Sequence, residues 1–149
     1  MRDLSIRAWI TPAPPTIGPK ENLKRARARM RAANVAELLV VDDGKLVGTL
    51  NERDIWEHCP TSTLVMDEKQ ADELLEQFRV GGVMALHPPV IHPGATISEA
   101  AQVFADCGRA GLPVVDDGLP IGFLTEASVM HAVAMLLGPE ATRAKSRDP

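Results

Sequence analysis

The 149-residue sequence has no tyrosine and few other aromatic residues, with two Trp and three Phe. Leu, Val, Ile, Ala and Met must therefore build most of its core. Basic residues are also in the minority, since 16 Lys and Arg face 20 Asp and Glu and give a formal net charge of −4. Many nucleic-acid-binding proteins are basic overall. The bulk charge thus argues against nucleic acid as the main partner.

Long apolar runs are missing as well. No stretch approaches the ~18 consecutive apolar residues of a membrane span, and the most apolar run, residues 129–137, is interrupted by a histidine. Residues 1–10 carry charged side chains in place of the apolar segment of a signal peptide. The two cysteines, Cys59 and Cys107, are too few for a disulfide framework. We therefore expect a reduced, cytoplasmic protein without a membrane contact.

The sequence also lacks the local patterns of common catalytic centres. Its four histidines show no metal-ligand spacing. It has no nucleophile elbow, P-loop or paired-carboxylate arrangement. We expect neither an enzyme nor a required cofactor or metal.

The feature that organises the chain is a stretch that occurs twice, at residues 37–55 and 111–129. Aligning residues 6–56 with 80–130, at a fixed offset of 74, gives 15 identities among 51 positions. Each copy predicts a buried strand, an Asp-Asp-Gly hairpin turn, a second strand and a polar step into a helix. Such a duplication means that neither half has to bury its apolar face alone.

Helices are predicted around these strand pairs. Asn22 is a suitable N-cap for a helix that ends near Ala33, with Asn34 as the stop. Thr96 and Glu99 form the capping-box pattern ahead of an apolar helical face. A linker helix is predicted over residues 71–78. A last helix follows from Glu126 to Leu137.

Taken together, these residues resemble a tandem pair of CBS (cystathionine-beta-synthase-type) domains, often called a Bateman module. The second copy carries the family's strand and helix-entry motifs as Leu112-Pro-Val-Val-Asp116 and Gly122-Phe-Leu-Thr125. The first carries them as Val40-Val-Asp42 and Gly48-Thr-Leu-Asn-Glu-Arg-Asp-Ile55. The motifs are individually weak, but doubled in the same order and register they are a strong signal.

The resemblance implies an α/β (α+β) fold of two β-α-β-β-α repeats, packed sheet to sheet with pseudo-twofold symmetry. Repeat 1 would span residues 1–59 and repeat 2 residues 80–137. The intervening residues 60–79 would be a linker with a short helix, and residues 138–149 a disordered tail.

The function implied by the resemblance is regulation. Such pairs are similar to sensors that hold adenine nucleotides (AMP, ADP or ATP) or adenosyl compounds such as S-adenosylmethionine in clefts between the repeats. They are usually fused to an enzyme or channel. No such domain accompanies the repeats here, so we expect a stand-alone module that acts on an unidentified regulated protein.

By this resemblance, Asp54 would bind the ribose hydroxyls, because a carboxylate offers two acceptor oxygens to two adjacent hydroxyls. Arg53 would face phosphate, and Asn51 stands where the family has Ser or Thr. Repeat 2 has Thr125 at that position but Ser128 in place of the acid. The remaining expected ligand residues, at the strand entrances and the adenine pocket, are Thr16, Ile17, Glu37, Leu38, Val90, Ile91 and Gly111.

A purely structural interpretation stays open for these polar positions. Asn51 and Thr125 are good N-caps, and an acid such as Asp54 at the third helical position stabilises the helix dipole without any ligand. A degenerate pair that binds no nucleotide would then serve as a dimerisation or protein-interaction scaffold.

Two further sequence features are candidates for interaction surfaces. The helix at 126–137 is apolar around most of its circumference, which favours a homodimer, although a deeply buried terminal helix is the alternative. The first predicted helix carries a basic run, compatible with an anionic ligand, a nucleic-acid accessory role or an acidic partner; a solvated face is the commoner arrangement. This run consists of Lys20, Lys24, Arg25, Arg27, Arg29 and Arg31.

Overall fold

The computed structural model describes residues 4–58 and 67–138, and it has a mixed α and β architecture. Two short 3₁₀ turns, Ile6–Trp9 and Val80–Gly82, accompany the longer elements. The helices are α1 (Leu23–Ala33), α2 (Glu52–His58), α3 (Glu68–Leu75), α4 (Ile97–Cys107) and α5 (Glu126–Leu137). The strands are β1 (Thr16–Ile17), β2 (Glu37–Asp42), β3 (Lys45–Asn51), β4 (Ala85–Leu86), β5 (Gly111–Asp116) and β6 (Leu119–Thr125).

The chain divides into two compact units. We call residues 14–88 the central unit and residues 1–13 with 89–149 the terminal unit. The first residues of the chain therefore belong with the second sequence repeat. The start of the second repeat, residues 80–88, belongs with the first.

The central unit is built on a four-stranded sheet in the order β1-β2-β3-β4. Strand β1 is parallel to β2, and the other two pairings are antiparallel. Alternation along the strands sends Leu38, Val40 and Leu50 to one face, where they form a core with Leu23 and Ile55 of the flanking helices. The opposite face carries the cross-strand pair Glu37 and Asn51.

The terminal unit repeats this plan on the antiparallel pair β5-β6. Its core joins Leu112, Val114 and Leu124 of the strands to Phe104 of α4 and Val129 of α5. Both hairpins turn at an Asp-Gly dipeptide with positive φ, as a type I′ turn requires. Both also have a register shift at the same place in the repeat, between Val40 and Val41 and between Val114 and Val115.

Each sheet takes its outer edge from the start of the other sequence repeat. Strand β4 pairs with β3 in the central unit, and Thr11 exchanges two 2.8 Å backbone hydrogen bonds with Phe123 in the terminal unit. The edge backbone approaches so closely that only glycine fits opposite it. A β-carbon on Gly48 would lie 2.7 Å from the Ala85 carbonyl oxygen, and one on Gly122 would overlap Ile10.

The structure confirms the predicted strand-turn-strand-helix order of both copies and most of the helix limits. Asn22 caps α1 and Asn34 ends it in the left-handed conformation; Thr96 and Glu99 form the predicted capping box. The linker helix, predicted over residues 71–78, spans Glu68–Leu75 in the structure. It begins at Glu68, because Asp67 and Gln70 form a capping box ahead of it. The predicted tail at 138–149 lies, beyond Gly138, outside the described residues.

Candidate functional site

The predicted ligand residues fall into two sets, one in each unit. The central unit holds Thr16, Ile17, Glu37, Leu38, Asn51, Arg53 and Asp54. The terminal unit holds Val90, Ile91, Gly111, Thr125 and Ser128. In both units the polar members gather where the second long strand passes into the following helix.

In the central unit, Asn51 and Asp54 form a reciprocal cap at the start of α2. The Asp54 N–H donates to Asn51 Oδ1 at 2.7 Å, and the Asn51 N–H donates to Asp54 Oδ2 at 3.0 Å. This arrangement fixes the Asp54 side chain at the end of the sheet and uses one of its carboxylate oxygens. Both side chains remain partly accessible, and Arg53 is exposed on the same helical turn. The carboxylate can still accept hydrogen bonds through Oδ1.

Two other polar candidates lie on the same face of the central sheet. Glu37 is the cross-strand partner of Asn51, and Thr16 lies one row away, opposite Leu39. Thr16 is exposed, whereas Glu37 is partly buried. Asn51 is thus the cross-strand neighbour of Glu37 and is hydrogen-bonded to Asp54 at the start of α2.

Three apolar candidates point into the cores instead. Ile17 and Leu38 belong to the helix-covered core of the central unit, and Ile91 to that of the terminal unit. Their side chains are at most 5% exposed. These three residues therefore present almost no accessible surface to a ligand.

In the terminal unit, the equivalent cap is built from hydroxyls. Thr125 Oγ1 accepts from the Ser128 N–H at 3.1 Å and donates to Ser128 Oγ at 2.8 Å. Gly111 is the cross-strand partner of Thr125. Val90 is 43% exposed, and its neighbour Ile91 hydrogen-bonds to β5 on both sides. The carboxylate found in the central unit has no counterpart in this cap.

Sequence reasoning missed Phe123, which faces the same end of this sheet. A β-carbon built on Gly111 would lie 2.5 Å from Cζ of the Phe123 ring. The aromatic ring therefore rests on the glycine backbone, where the other unit has the Glu37 side chain. The signal was present in the repeat alignment, since Phe123 matches Thr49 and Gly111 matches Glu37.

A second network that was missed supports β1. Arg29 donates to the Thr16 carbonyl at 2.7 Å and forms a 3.3 Å ion pair with Glu21. The Glu21 carboxylate also accepts the Gly18 N–H at 2.7 Å. That backbone hydrogen bond, with Arg29 and then Arg25 as further partners, holds the pKa of Glu21 below its ordinary value. The network fixes the entry to the strand on which Thr16 lies.

The basic run on α1 is paired within the chain, mainly by acidic residues of the linker. Lys24 bonds to Glu76 at 2.7 Å, and Arg31 bonds to Glu68 at 2.5 Å. Between them, Arg27 lies 3.7 Å from Asp72 and stacks over a tryptophan ring. We call this row of ion pairs the α1–α3 ladder. The ladder pairs Lys24, Arg27 and Arg31, and Glu21 pairs Arg25 and Arg29, so five residues of the basic run have acidic partners within the chain.

A cavity of about 280 Å³ lies at the C-terminal end of α1 and reaches Glu52, the first residue of α2. Arg27, Arg31 and Glu52 provide its charged lining. Nη1 of Arg27 is buried without a hydrogen bond in the described part of the chain. Because Glu52, with Glu68 and Asp72 of the ladder, offsets the two guanidinium groups, the cavity does not favour an anion.

Within residues 4–58 and 67–138, no helix has the length and apolar character needed to cross a bilayer. Over the same residues, His, Cys, Asp and Glu side chains are not grouped in threes that could hold a metal ion.

Comparison with known protein families identifies both repeats. The model of the CBS domain matches residues 3–55 and again residues 80–135. A CBS domain-containing protein of Dictyostelium discoideum is 30% identical over 128 residues, which are 83% of this chain and 87% of that protein.

Solved structures agree with this match. The CBS-pair protein CBSX2 from Arabidopsis thaliana aligns with a TM-score of 0.74 at 24% identity, covering 91% of this chain and 98% of that one. A structure of CBSX2 in complex with AMP aligns with a TM-score of 0.68 at 25% identity, covering 91% and 99%.

Proposed function

The chain belongs to the CBS-domain family, and from this premise we propose that it is a regulatory module that binds an adenine nucleotide. The observation that carries the proposal is the Asp54 carboxylate, fixed by the Asn51 cap at the polar end of the central sheet. A carboxylate held in this way is pre-organised for a diol, because its orientation is set before a ligand arrives.

The residues around Asp54 suit the parts of a nucleotide. The free acceptor capacity of the carboxylate matches two adjacent ribose hydroxyls. Arg53, which precedes Asp54 on α2 and is exposed, offers the N–H donors of its guanidinium group to a phosphate. In this proposal the phosphate lies on the Arg53 side of Asp54, where Arg53 is exposed.

AMP is the first ligand to test, since the aligned CBSX2 structure is a complex with AMP. ADP, ATP and S-adenosylmethionine share the adenosine part and differ in the group that Arg53 would meet. No metal or bound cofactor is needed for this recognition, and the module itself catalyses no reaction in this proposal. Its effect would pass to a protein that it regulates.

Thermal denaturation with and without AMP tests the proposal. A ligand at 100 times its dissociation constant adds about 2.7 kcal/mol to the free energy of unfolding. We expect a clear rise in melting temperature for the unaltered chain and none for Asp54→Ala. If none of the four adenosine ligands raises the melting temperature at millimolar concentration, the nucleotide proposal fails.

A second candidate function is a homodimeric interaction scaffold, favoured by the surface of α5. Met130 and Met135 are 57% and 72% exposed on this helix, and Leu137 is 48% exposed. Met130 and Leu137 are seven residues apart and so lie on the same face of α5, and exposed apolar groups of this kind mark contact sites for another chain. Light scattering at micromolar concentration should report a dimer, and Met130→Glu should dissociate it. A monomer in the unaltered chain would exclude this function, whereas nucleotide binding could persist.

A further inference from the structure

Each unit carries one large side chain on the sheet face beside its polar cap. The two units take this side chain from opposite strands of the hairpin. In the central unit the larger side chain is Glu37 on β2, and the corresponding position on β3 is Thr49. In the terminal unit the strand position equivalent to Glu37 is Gly111, and the large side chain is Phe123 on β6. An acidic group in one unit is thus exchanged for an aromatic ring in the other.

The ring takes the place that a side chain at position 111 would have. A β-carbon on Gly111 would overlap Cε1 of Phe123 and lie 2.5 Å from Cζ. Carbon atoms in van der Waals contact stay ~3.5–4.0 Å apart, so the ring lies directly on the glycine. Since Gly111 is opposite Thr125 across the hairpin, the ring covers the sheet face beside the polar cap.

The polar groups of that cap are also occupied by each other. The Thr125 and Ser128 hydroxyls share a 2.8 Å hydrogen bond, and Thr125 Oγ1 additionally accepts the Ser128 N–H. A diol would have to break this pair and would meet no carboxylate in return. In the central unit, by contrast, Asp54 keeps acceptor capacity after capping α2.

We propose that the Phe123 ring closes the candidate site of the terminal unit, so that the chain binds one nucleotide and binds it in the central unit. This inference rests on the proposed function and deepens it. Phe123 is then the residue that determines the stoichiometry. Gly111 is needed because any larger residue would displace the ring.

Isothermal titration with AMP tests the inference on the full chain. The unaltered protein should bind one AMP per chain, and Asp54→Asn should weaken that binding about tenfold or more. Ser128→Asp alone, which supplies the missing carboxylate under the intact ring, should still give one site. Ser128→Asp combined with Phe123→Val should give two sites per chain, because valine keeps the strand preference and removes the ring.

Other binding stoichiometries would overturn the role of Phe123, the proposed function, or both. Two AMP per unaltered chain, or a single site in the folded double variant, overturns the role of Phe123. A single site that keeps its full affinity in Asp54→Asn and is lost in Phe123→Val makes the ring a stacking surface for adenine, which also overturns the inference. Binding only in the double variant rejects the proposed function of the natural chain and supports the closure by Phe123. No binding in either protein rejects both.

Labelling with 4-fluorophenylalanine covers the case in which the double variant does not fold. The three Phe residues give three fluorine signals, assigned by Phe→Leu replacement. Saturating AMP should leave the Phe123 signal in place, because the ring lies outside the occupied site. A ligand-induced shift of that signal larger than those of Phe78 and Phe104 would contradict the inference.

Discussion

Asn51 and Asp54 each accept a hydrogen bond from the backbone N–H of the other, at 2.7 and 3.0 Å. The same carboxylate is therefore a helix cap and the best candidate for a ligand contact. Structural and functional interpretations of Asp54 are not exclusive, because the cap leaves one oxygen available. Separating them requires variants that keep one role and remove the other.

Asp54→Asn should separate the roles, since the amide oxygen still accepts the Asn51 N–H whereas the charge is lost. We expect little change in the free energy of unfolding, but an AMP affinity reduced about tenfold or more, because a hydrogen bond to a charged group contributes about 1.5–3 kcal/mol. Asp54→Ala should lose the affinity and also about 1 kcal/mol of stability. Calorimetric titration and urea unfolding measure the two effects.

The matched control is Asp67→Ala, which removes a cap from α3 in the same unit. It should cost about 1 kcal/mol of stability and leave AMP affinity unchanged. Equal losses of affinity in Asp54→Ala and Asp67→Ala would mean that stability alone is being measured. Full AMP affinity in Asp54→Asn would show that the Asp54 carboxylate does not contact the ligand.

Gly48→Ala should destabilise the central unit by about 1–3 kcal/mol. Its β-carbon would lie 2.7 Å from the Ala85 carbonyl oxygen and 2.8 Å from Met84 Sδ, and the backbone atom cannot turn aside. Gly82→Ala is the control, because a β-carbon there meets nothing within 4 Å. Urea unfolding of both variants gives the comparison. Equal stability in the two proteins would show that β4 does not approach Gly48 this closely.

Much of the fold could be predicted because the signals are local. The Asp-Gly turns, the Asn22 cap and the Thr96–Glu99 capping box depend on residues close in sequence, and each is in place. The duplication added what no single motif could supply, namely the order of the elements in both copies.

Pairings between segments far apart in the chain could not be predicted from local sequence patterns. The pairing of Thr11 with Phe123 joins residues far apart in sequence, and its only trace is the glycine shared by both repeats at Gly48 and Gly122. Lys24 and Arg31 of the basic run likewise have partners on α3 or at its end, which local patterns do not place beside α1. At the candidate site, Asp54 was proposed from its motif and stays a prediction, whereas Phe123 was missed because no local pattern places its ring over Gly111.

The α1–α3 ladder predicts a charge-exchange effect. Lys24 Nζ lies 2.7 Å from Glu76 Oε1, so Lys24→Glu replaces an ion pair by two like charges and the melting temperature should fall. Lys24→Glu combined with Glu76→Lys should recover most of the loss, because the pair is restored in reverse. Both partners are about half exposed, so the change should be only a few degrees at most and should shrink in 1 M salt, where the Debye length is about 3 Å. If the double variant melts no higher than Lys24→Glu alone, the Lys24–Glu76 pair does not stabilise the fold.

Acid should weaken the fold through two carboxylates of the central unit. The Gly18 N–H, Arg29 and Arg25 hold the pKa of Glu21 below its ordinary 4.5, and the Arg31 guanidinium lowers that of Glu68 in the same direction. Since the unfolded chain binds these protons more tightly, the stabilisation is complete well above pH 4.5 and is lost as the pH falls through the lower folded-state pKa values.

Urea unfolding between pH 7 and pH 3 measures this loss. Glu68→Gln should be slightly less stable than the unaltered chain at pH 7, where the ion pair with Arg31 is formed. It should lose less stability on acidification, because it has one fewer carboxylate to protonate, so the two curves converge toward pH 3. Curves for Glu68→Gln and the unaltered chain that stay parallel down to pH 3 would show that Glu68 titrates alike in the folded and unfolded states.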